Sequence, residues 1–297
     1  MVDRPTEQQH PAAQGLQSLA PIAALTHLLD AQLLAATSLR PALPALTKAA
    51  ELAAATLRAG GKLGYAGAGS SGLMALADCL ELPGTYGIAP TQIPMMFAGG
   101  LPALSHMTGA VEDDPKLAHT DLERAGISRG DTVICVSASG GTPYTLVIAD
   151  LARAHGAKII ALANVAGSPL LKAADIAVLL DTGPEVIAGS TRMGAGTAQK
   201  IALNLLSTLT AMHLGHVQDG YMVNLTADNA KLRDRAVGIV ARLANVPPAR
   251  ATTALAETDG DVKTAILIAS GARSRIEAVS LLVDSGGHLG PALAALS

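Results

Sequence analysis

Two loops rich in glycine and hydroxyl residues constrain the fold of this chain more than any other feature. Gly67-Ala-Gly-Ser-Ser-Gly72 follows the apolar run Gly61-Lys-Leu-Gly-Tyr-Ala66, and Ser137-Ala-Ser-Gly-Gly-Thr-Pro-Tyr144 follows Asp131-Thr-Val-Ile-Cys-Val136. A helix-like segment comes after each loop, so both loops sit at helix N-termini, where free backbone N–H groups attract phosphate. Neither loop is a dinucleotide fingerprint or a nucleotide P-loop, because the required third glycine and the Gly-Lys-Ser/Thr ending are absent. Each loop alone is also compatible with an ordinary connection in an α/β sheet.

Strand-like runs alternate with helix-like runs through the middle of the chain. This alternation predicts the α/β class, with a doubly wound parallel sheet flanked by helices and ligands bound at the carboxyl ends of the strands. The predicted helices include Ser71–Leu80 and Tyr144–His155, and the predicted strands are Leu63–Ala66, Met95–Ala98, Thr132–Val136, Ile159–Ala163 and Ile176–Leu180.

The chain divides by pattern into three parts. Residues 1–59 form an N-terminal arm and helices, residues 60–225 the sheet domain, and residues 226–297 a small all-helical C-terminal unit cut by Pro247-Pro248, Gly260 and Gly271. Residues 196–214 lack proline and internal glycine, which predicts a long helix packed on the sheet or on a partner subunit. The pattern does not decide between these two surroundings.

Composition limits the kinds of partner. Hydrophobic residues make up 49% of the 297 residues and charged residues only 15%, which indicates a folded globular protein. A net charge of −3 without a long basic run gives no reason to expect nucleic acid or an anionic membrane as partner. No 18 apolar residues follow one another, and Cys79 and Cys135 are expected to be buried thiols. We therefore expect a cytoplasmic protein that binds a small molecule, without metal or cofactor.

Two glutamates stand out from the 24 acidic residues. Glu81 closes an otherwise apolar predicted helix, and Glu112 opens a Glu-Asp-Asp loop; amphipathic patterning explains neither. Such a pair near a bound sugar could supply one general acid and one general base, which is what cleavage of a carbon–oxygen bond without a metal requires. For Glu112, a helix cap or a local turn is the alternative interpretation.

With these features in place, the chain resembles the N-acetylmuramic acid 6-phosphate etherases of the sugar isomerase (SIS) superfamily over almost its whole length. The residues that carry the resemblance are the two loops, Glu81, Pro83, Thr85-Tyr-Gly87, Glu112-Asp113, Gly189-Ser-Thr-Arg192, Ala195-Gly-Thr-Ala-Gln-Lys200, Asn204-Leu-Leu-Ser-Thr208, Asn229-Ala-Lys-Leu232, Lys263-Thr-Ala-Ile266 and Gly286-Gly287.

The resemblance implies a reaction and a site. Family members open the sugar ring, eliminate D-lactate and add water to the unsaturated aldehyde, leaving N-acetylglucosamine 6-phosphate. It implies that Glu81 assists lactate departure as acid, that Glu112 acts as base, and that the enzyme is a homodimer with the active site near the subunit contact. The implied binding residues are Ser70, Ser71, Ser137, Ser139, Gly140 and Thr142 for the 6-phosphate, with Glu185, Ser190, Thr191 and Arg192 near the site.

The chain also departs from the family pattern. Leu73 and Gly141 stand where the family usually has Arg, and Gly194 stands where it usually has Lys. Charge-assisted hydrogen bonds are roughly twice as strong as neutral ones, so the requirement for the 6-phosphate stays open. Two other functions stay open as well. A sugar-phosphate-sensing protein would use the same loops without turnover, and a phosphosugar isomerase or deaminase would share only the loops.

Overall fold

A computed structural model describes residues 5–296, and a five-stranded parallel sheet of order β2-β1-β3-β4-β5 lies at its centre. A separate two-stranded antiparallel hairpin, β6-β7, follows later in the chain. The strands are β1 Leu63–Gly67, β2 Met95–Phe97, β3 Thr132–Ser137, β4 Lys158–Ala163, β5 Ile176–Leu179, β6 Val217–Gln218 and β7 Tyr221–Met222. The predicted α/β class and all five predicted strands of the parallel sheet are confirmed.

Helices flank the parallel sheet and make up nearly all of the C-terminal part of the described chain. They are α1 Pro21–Thr37, α2 Leu43–Arg58, α3 Gly69–Tyr86, α4 Gly100–Ser105, α5 Pro115–Ala125, α6 Pro143–Ala154, α7 Pro169–Ala173, α8 Gly194–His213, α9 Ala230–Leu243, α10 Pro248–Glu257, α11 Val262–Ala269, α12 Arg275–Asp284 and α13 Leu289–Ala294.

The register of β1 against β3 places the two loops side by side. Gly67 pairs with Val136, so both strands end at the same level and both loops leave the same edge of the sheet. Every residue of β1 and of β3 is buried, as expected for central strands of a parallel sheet covered on both faces. The two central strands thereby fix the position of both loops.

Internal contacts divide the chain into two compact units. The first holds the residues up to Cys79 together with Thr91–Ser207, and the second holds Leu80–Pro90 together with the residues from Thr208 onward. The domain boundaries that the sequence pattern places at 60 and 226 stay a prediction. The first unit contains the parallel sheet, and the core of the second is formed mainly by residues of α9–α13.

The hairpin β6-β7 belongs to the second unit and has no counterpart among the predicted elements. Its strands are only two residues long, and Asp219-Gly220 joins them with positive φ at both residues, 49° and 79°. That conformation and an Asp-Gly pair are typical of a type I′ turn. Alternation over so few residues is too short to be recognised, although the Asp-Gly pair is itself a turn signal.

Helix α3 is longer than the sequence predicts. The prediction ends it at Leu80, because Pro83 and Gly84 usually stop a helix, yet the helix continues to Tyr86. Contacts within the second unit hold this last turn: Thr226 N–H donates to Gly84 O at 3.1 Å, and Asn224 Nδ2 donates to Tyr86 O at 2.9 Å. Tertiary contacts therefore override a local breaker signal.

The N-terminal helices contain a long apolar segment. Residues Pro21–Arg58 contain an 18-residue window with a mean hydropathy of 1.3, which is long and apolar enough to cross a membrane by length and composition. This differs from the expectation drawn from uninterrupted apolar runs. The second half of the segment packs on the sheet, however, because α2 contacts β1, β3 and β5 and buries Leu46, Leu57 and four alanines. Only 11% of the 18-residue window itself is buried, so the packing of α2 on the sheet does not account for its apolar character.

Gly72 is a point of close contact between the first loop and its neighbours. A Cβ atom built there would lie 2.7 Å from Phe97 Cε2 and 2.9 Å from the carbonyl carbon of Gly67. At Gly238, within α9, the same construction meets no atom within 4 Å.

We expect Gly72→Ala to lower the free energy of unfolding by about 1–3 kcal/mol, as overpacking of a close contact does. Gly238→Ala is the matched control and should raise the free energy of unfolding by roughly 0.5–1 kcal/mol, the usual gain for alanine in a helix interior. Denaturant unfolding followed by circular dichroism measures both. A Gly72→Ala protein as stable as the parent would contradict the close approach of α3 to β1.

Candidate active site

The hydroxyl groups of the two loops form one connected set. Ser71 Oγ accepts the Ala138 N–H at 3.2 Å and so ties the first loop to the second. Within the second loop, Ser137 Oγ and Thr142 Oγ1 lie 2.8 Å apart, and Gly141 N–H donates to Ser139 Oγ at 3.1 Å. A direct hydrogen bond therefore joins the Ser137 and Thr142 hydroxyls, and the Ser71 and Ser139 hydroxyls bind the backbone of the second loop.

The backbone of the second loop needs glycine at position 140. Gly140 has φ +61°, and a Cβ built there would lie 2.2 Å from Ser168 Oγ. Gly140 N–H donates to Ser137 Oγ at 3.1 Å, and its carbonyl accepts the Leu170 N–H at 3.0 Å. The loop is thus anchored on both sides, and α6 begins directly after it at Pro143.

Glu112 lies over the first turn of α3. A Cβ built at Gly69 would come within 2.6 Å of Glu112 Oε1, so the carboxylate rests against the start of the helix, beside the first loop. Burial, together with the nearby charge of Asp113, raises the pKa of Glu112 above its ordinary value. Glu112 itself lies in a short 3₁₀ turn, Gly109–Asp113, and the cap of α5 is Asp114, whose side chain accepts the Lys116 N–H. Asp114 and not Glu112 therefore caps α5, and the local-turn alternative describes the backbone of Glu112.

Glu81 lies inside α3, not at its end as the sequence prediction has it. Its side chain is exposed, in the part of α3 that belongs to the second unit. Ser70 lies in the first turn of the same helix and is half-buried.

The start of α8 is occupied by a carboxylate of the chain itself. Glu185 is 3% exposed, and its two oxygens accept the N–H groups of Gly194 and Ala195, each at 2.8 Å. Carboxylates are stabilised at such a position by the helix dipole and by these otherwise unpaired donors. Glu185 is therefore a helix cap here, whatever further part it takes in binding.

The segment that contains Ser190, Thr191 and Arg192 leads directly into α8. Ser190 and Thr191 are half-buried and Arg192 is exposed. The N-terminal arm packs on this segment, because Gly189 N–H donates to Thr6 O at 2.9 Å, and a Cβ built at Gly189 would lie 2.9 Å from Glu7 Oε2. The structure thus places Glu7 beside the predicted Ser190-Thr-Arg192 segment.

A buried carboxylate that the sequence prediction missed supports α3. Asp78 is 4% exposed; its oxygens accept the Tyr65 hydroxyl at 3.0 Å and the Ser207 hydroxyl at 2.9 Å. These three residues connect α3 to β1 and α8. An acidic residue on an apolar helix face was the available signal.

A second buried network links α8 to the second loop. Gln199 Nε2 donates to Asn164 Oδ1 at 2.9 Å, and the Asn164 N–H donates to Ala138 O at 3.0 Å. Gln199 lies in the Gly-Thr-Ala-Gln-Lys motif, so this motif serves to hold the loop in place.

The three positions where the family usually has basic residues differ in how much room they leave for a side chain. Leu73 is half-buried on α3, and at Gly194 a Cβ would meet Glu185 Oε2 at 3.1 Å. At Gly141 the nearest atom is Ser139 Oγ at 3.8 Å, so a side chain fits there.

Among residues 5–296 no group of three or more His, Cys, Asp or Glu side chains could hold a metal ion. Cys79 and Cys135 are buried free thiols, as predicted.

Comparison with known proteins places this site in a family context. The family model described as SIS domain matches residues 31–164, which include both loops and Glu112. The chain is 43% identical to the N-acetylmuramic acid 6-phosphate etherase of Deinococcus radiodurans over 96% of this chain and 93% of that protein. It is 42% identical to the enzyme of the same name from Streptomyces avermitilis, over 92% of this chain and 88% of the relative.

A solved structure supports the fold. A Bacteroides fragilis NCTC 9343 protein, described as a candidate phosphosugar isomerase involved in capsule formation, superposes with a TM-score of 0.53 at 22% identity. The match covers 70% of this chain and 98% of that protein. At this identity the likeness concerns the arrangement of sheet and helices alone.

The raised pKa of Glu112 predicts a stability that depends on pH. A carboxyl whose pKa is raised by folding binds its proton more tightly in the folded than in the unfolded state, so its charged form costs stability above that pKa. We expect Glu112→Gln to raise the midpoint of thermal unfolding at pH 7. The gain should shrink as the pH falls through the raised pKa toward the ordinary value of 4.5.

Calorimetry at a series of pH values measures this effect, with Glu123→Gln, an exposed acidic site on α5, as the matched control. The control should change the free energy of unfolding by less than about 0.5 kcal/mol at every pH, as surface substitutions usually do. A Glu112→Gln protein that is less stable than the parent at pH 7 would contradict the burial of an uncompensated charge at the start of α3.

Proposed function

The chain belongs to the N-acetylmuramic acid 6-phosphate etherase family, and from this membership we propose how its residues carry out the reaction. The protein is an enzyme that cleaves the D-lactyl ether of N-acetylmuramic acid 6-phosphate with water, giving N-acetylglucosamine 6-phosphate and D-lactate. The observation that carries this conclusion is identity of 35–43% to etherases over nearly the full chain.

The chemistry requires a base and an acid. In the ring-opened sugar, a base removes the proton at C2, next to the aldehyde, and the electron pair forms the C2=C3 double bond. The bond from C3 to the ether oxygen then breaks, and lactate leaves with a proton from the acid. Water adds its hydroxyl to C3 and its hydrogen to C2, which restores the sugar. No electron is gained or lost overall, so two positioned carboxyl groups can serve the whole sequence.

Glu112 is our candidate for the base. It lies against the first turn of α3, next to the first loop, and its raised pKa makes the ionised carboxylate a stronger base than an exposed glutamate. Partial burial and the neighbouring charge of Asp113 both strengthen the interaction of the Glu112 carboxylate with a proton. The resemblance assigns the same role to this position.

Glu81 is our candidate for the acid that protonates the departing lactate. This role rests on the resemblance and on the exposed position of Glu81 on α3, where its carboxyl is accessible to a ligand. The 6-phosphate is proposed to bind the second loop, whose Ser137, Ser139 and Thr142 hydroxyls already gather at the start of α6. The first-loop hydroxyls, Ser70 and Ser71, are proposed to complete that site.

We also propose that the enzyme is a homodimer and that α1 supplies its interface. Ile22, Leu25, Leu29 and Leu33 are 74, 61, 58 and 57% exposed and recur every three or four residues, so they form one stripe along the helix. Helix α1 contains no Lys or Arg and one acidic residue, Asp30. A basic face, which would favour an anionic membrane surface, is therefore missing, and a second copy of the same stripe is the better-matched partner.

Helix α8 was the other candidate for a partner face. Most of its side chains are buried or half-buried within the chain, and its exposed large apolar residues are only Leu205 and Met212. Core packing therefore explains its apolar character. The two buried free thiols support the proposed cytoplasmic location.

Replacing either glutamate should remove activity without removing the fold. We expect Glu81→Gln and Glu112→Gln each to lower kcat for D-lactate release by about 10²–10⁴-fold, the usual contribution of a general acid or base. Coupling the release to a D-lactate dehydrogenase gives the rate, and Glu123→Gln is the control that should keep kcat within about twofold, since exposed substitutions rarely matter. Full activity in either glutamine variant would refute its assigned role.

Charges placed on the α1 stripe should separate the subunits. We expect the wild-type protein to sediment at twice the chain mass of 29.9 kDa and the Leu25→Lys/Leu29→Lys variant at that mass, because two buried leucines per chain would become cations. Ile276→Lys, at a site 83% exposed on α12, is the control that should stay dimeric. A wild-type monomer that binds uncharged lipid vesicles would overturn the proposal in favour of a membrane surface.

A further inference from the structure

One face of α9, in the second unit, carries two arginines that form no ion pair. Residues three, four and seven positions apart share a face of a helix, and here these are Arg235, Gly238, Ile239 and Arg242. Both arginines are exposed, and neither belongs to the ion pairs found among residues 5–296. This face therefore presents two guanidinium groups whose charge no described carboxylate neutralises, in a chain with a net charge of −3.

The same face of α9 lines a recess of about 470 Å³. The other lining residues, Gly220, Tyr221 and Met222, belong to the hairpin β6-β7 or to the turn that joins its strands. No Asp or Glu is among the described residues that line it. The volume lies within the range of sites that hold small molecules.

The guanidinium group of Arg235 is held at this recess by a weak contact. Its Nη1 donates to Met222 Sδ at 3.9 Å. Thioether sulfur is a weak acceptor, so this contact fixes the position of the guanidinium without satisfying its five N–H donors. A ligand that offers oxygen acceptors would therefore meet donors that are already in place.

Gly238 keeps the space between the two arginines open. It follows Arg235 by three residues and precedes Arg242 by four, and a Cβ built there would meet no atom within 4 Å. Packing therefore does not require glycine at this position, although glycine destabilises a helix interior relative to alanine. The two arginines start about 10.5 Å apart along the helix, so their long side chains can converge on one group above the glycine.

We propose that this recess binds a phosphate dianion, free or carried on a small molecule, between Arg235 and Arg242 and above Gly238. Guanidinium groups only donate hydrogen bonds, and their planar fork matches phosphate oxygens. The apolar surfaces of Tyr221 and Met222 suit the carbon skeleton of a phosphate ester. The recess shares no residue with the etherase site proposed above, so this is a second binding site with a function of its own.

The ¹⁹F signal of Tyr221 can report on the recess directly. The four tyrosines of the chain are replaced by 3-fluorotyrosine, and Tyr221→Phe identifies the signal of interest. In about 0.15 M KCl, where distant charges are screened, glucose 6-phosphate should shift this signal saturably. We expect a Kd of about 0.05–5 mM, as two hydrogen bonds to a charged group would give. Uncharged glucose should leave the signal unchanged.

Three variants test the residues that hold the phosphate. Arg235→Gln and Arg242→Gln should each raise the Kd by about tenfold or more, because each removes hydrogen bonds to a charged group. Gly238→Gln should raise it by about tenfold with both arginines in place, because a neutral side chain then fills the space between them. Arg233→Gln is the matched control, at an exposed arginine of α9 that lines a different cavity, and should keep the Kd within about twofold.

Inorganic phosphate, titrated in the same way, distinguishes the two sources of the dianion. Weaker binding than that of glucose 6-phosphate assigns the recess to a phosphate ester, and equal binding assigns it to free phosphate. Before ligand is added, unchanged signals of the buried Tyr65 and Tyr144 show that a variant keeps its fold.

Three results would overturn the proposal. One is a Tyr221 signal that does not shift with either phosphate compound up to about 20 mM, well above the expected Kd. Another is an equal shift with glucose. The third is an equal loss of binding in Arg233→Gln and Arg235→Gln, which would indicate a diffuse effect of charge and not a site.

Discussion

The unpaired N–H groups at the first turns of three helices are the constraint on which the rest of this structure depends. Parallel strands deliver α3, α6 and α8 toward one edge of the first unit, and a helix start cannot be left without acceptors. A different polar group lies at each helix start. The Glu112 carboxylate lies against the start of α3, hydroxyl groups precede α6, and Glu185 caps α8. The same groups that complete the fold are therefore those that would contact a ligand.

This dual use explains why the site combines stability with reactivity. Glu185 is fully committed to two N–H groups, so its charge is stabilised and its position fixed. Glu112 has a helix start nearby but is partly buried beside Asp113, which holds its pKa above the ordinary value. One carboxylate thereby becomes structural, and the other keeps a proton affinity suited to taking a proton from carbon.

How far the sequence predicted the structure depends on whether the signal was local. The strands around Leu63–Gly67 and Thr132–Ser137 were predictable because short apolar runs end in glycine and hydroxyl residues. The continuation of α3 past Pro83 was not, because it depends on hydrogen bonds from Asn224 and Thr226, far along the chain. The sequence marked Glu185 as a site residue. It could not reveal that the Glu185 carboxylate caps α8, which begins nine residues later at Gly194. The Asp78 network joins three separate elements and left only an acidic residue on an apolar face as its trace.

The central claim is that Glu112 removes a proton from C2 of the sugar and that the ether is lost by elimination followed by addition of water. Carrying out the reaction in D₂O enriched in ¹⁸O, with mass spectrometry of both products, tests it most directly. The account predicts one deuterium at C2 and ¹⁸O at C3 of the amino sugar, no ¹⁸O in the hydroxyl of D-lactate, and no C2 deuterium with Glu112→Gln. An amino sugar without deuterium, or ¹⁸O in the lactate hydroxyl, would contradict it.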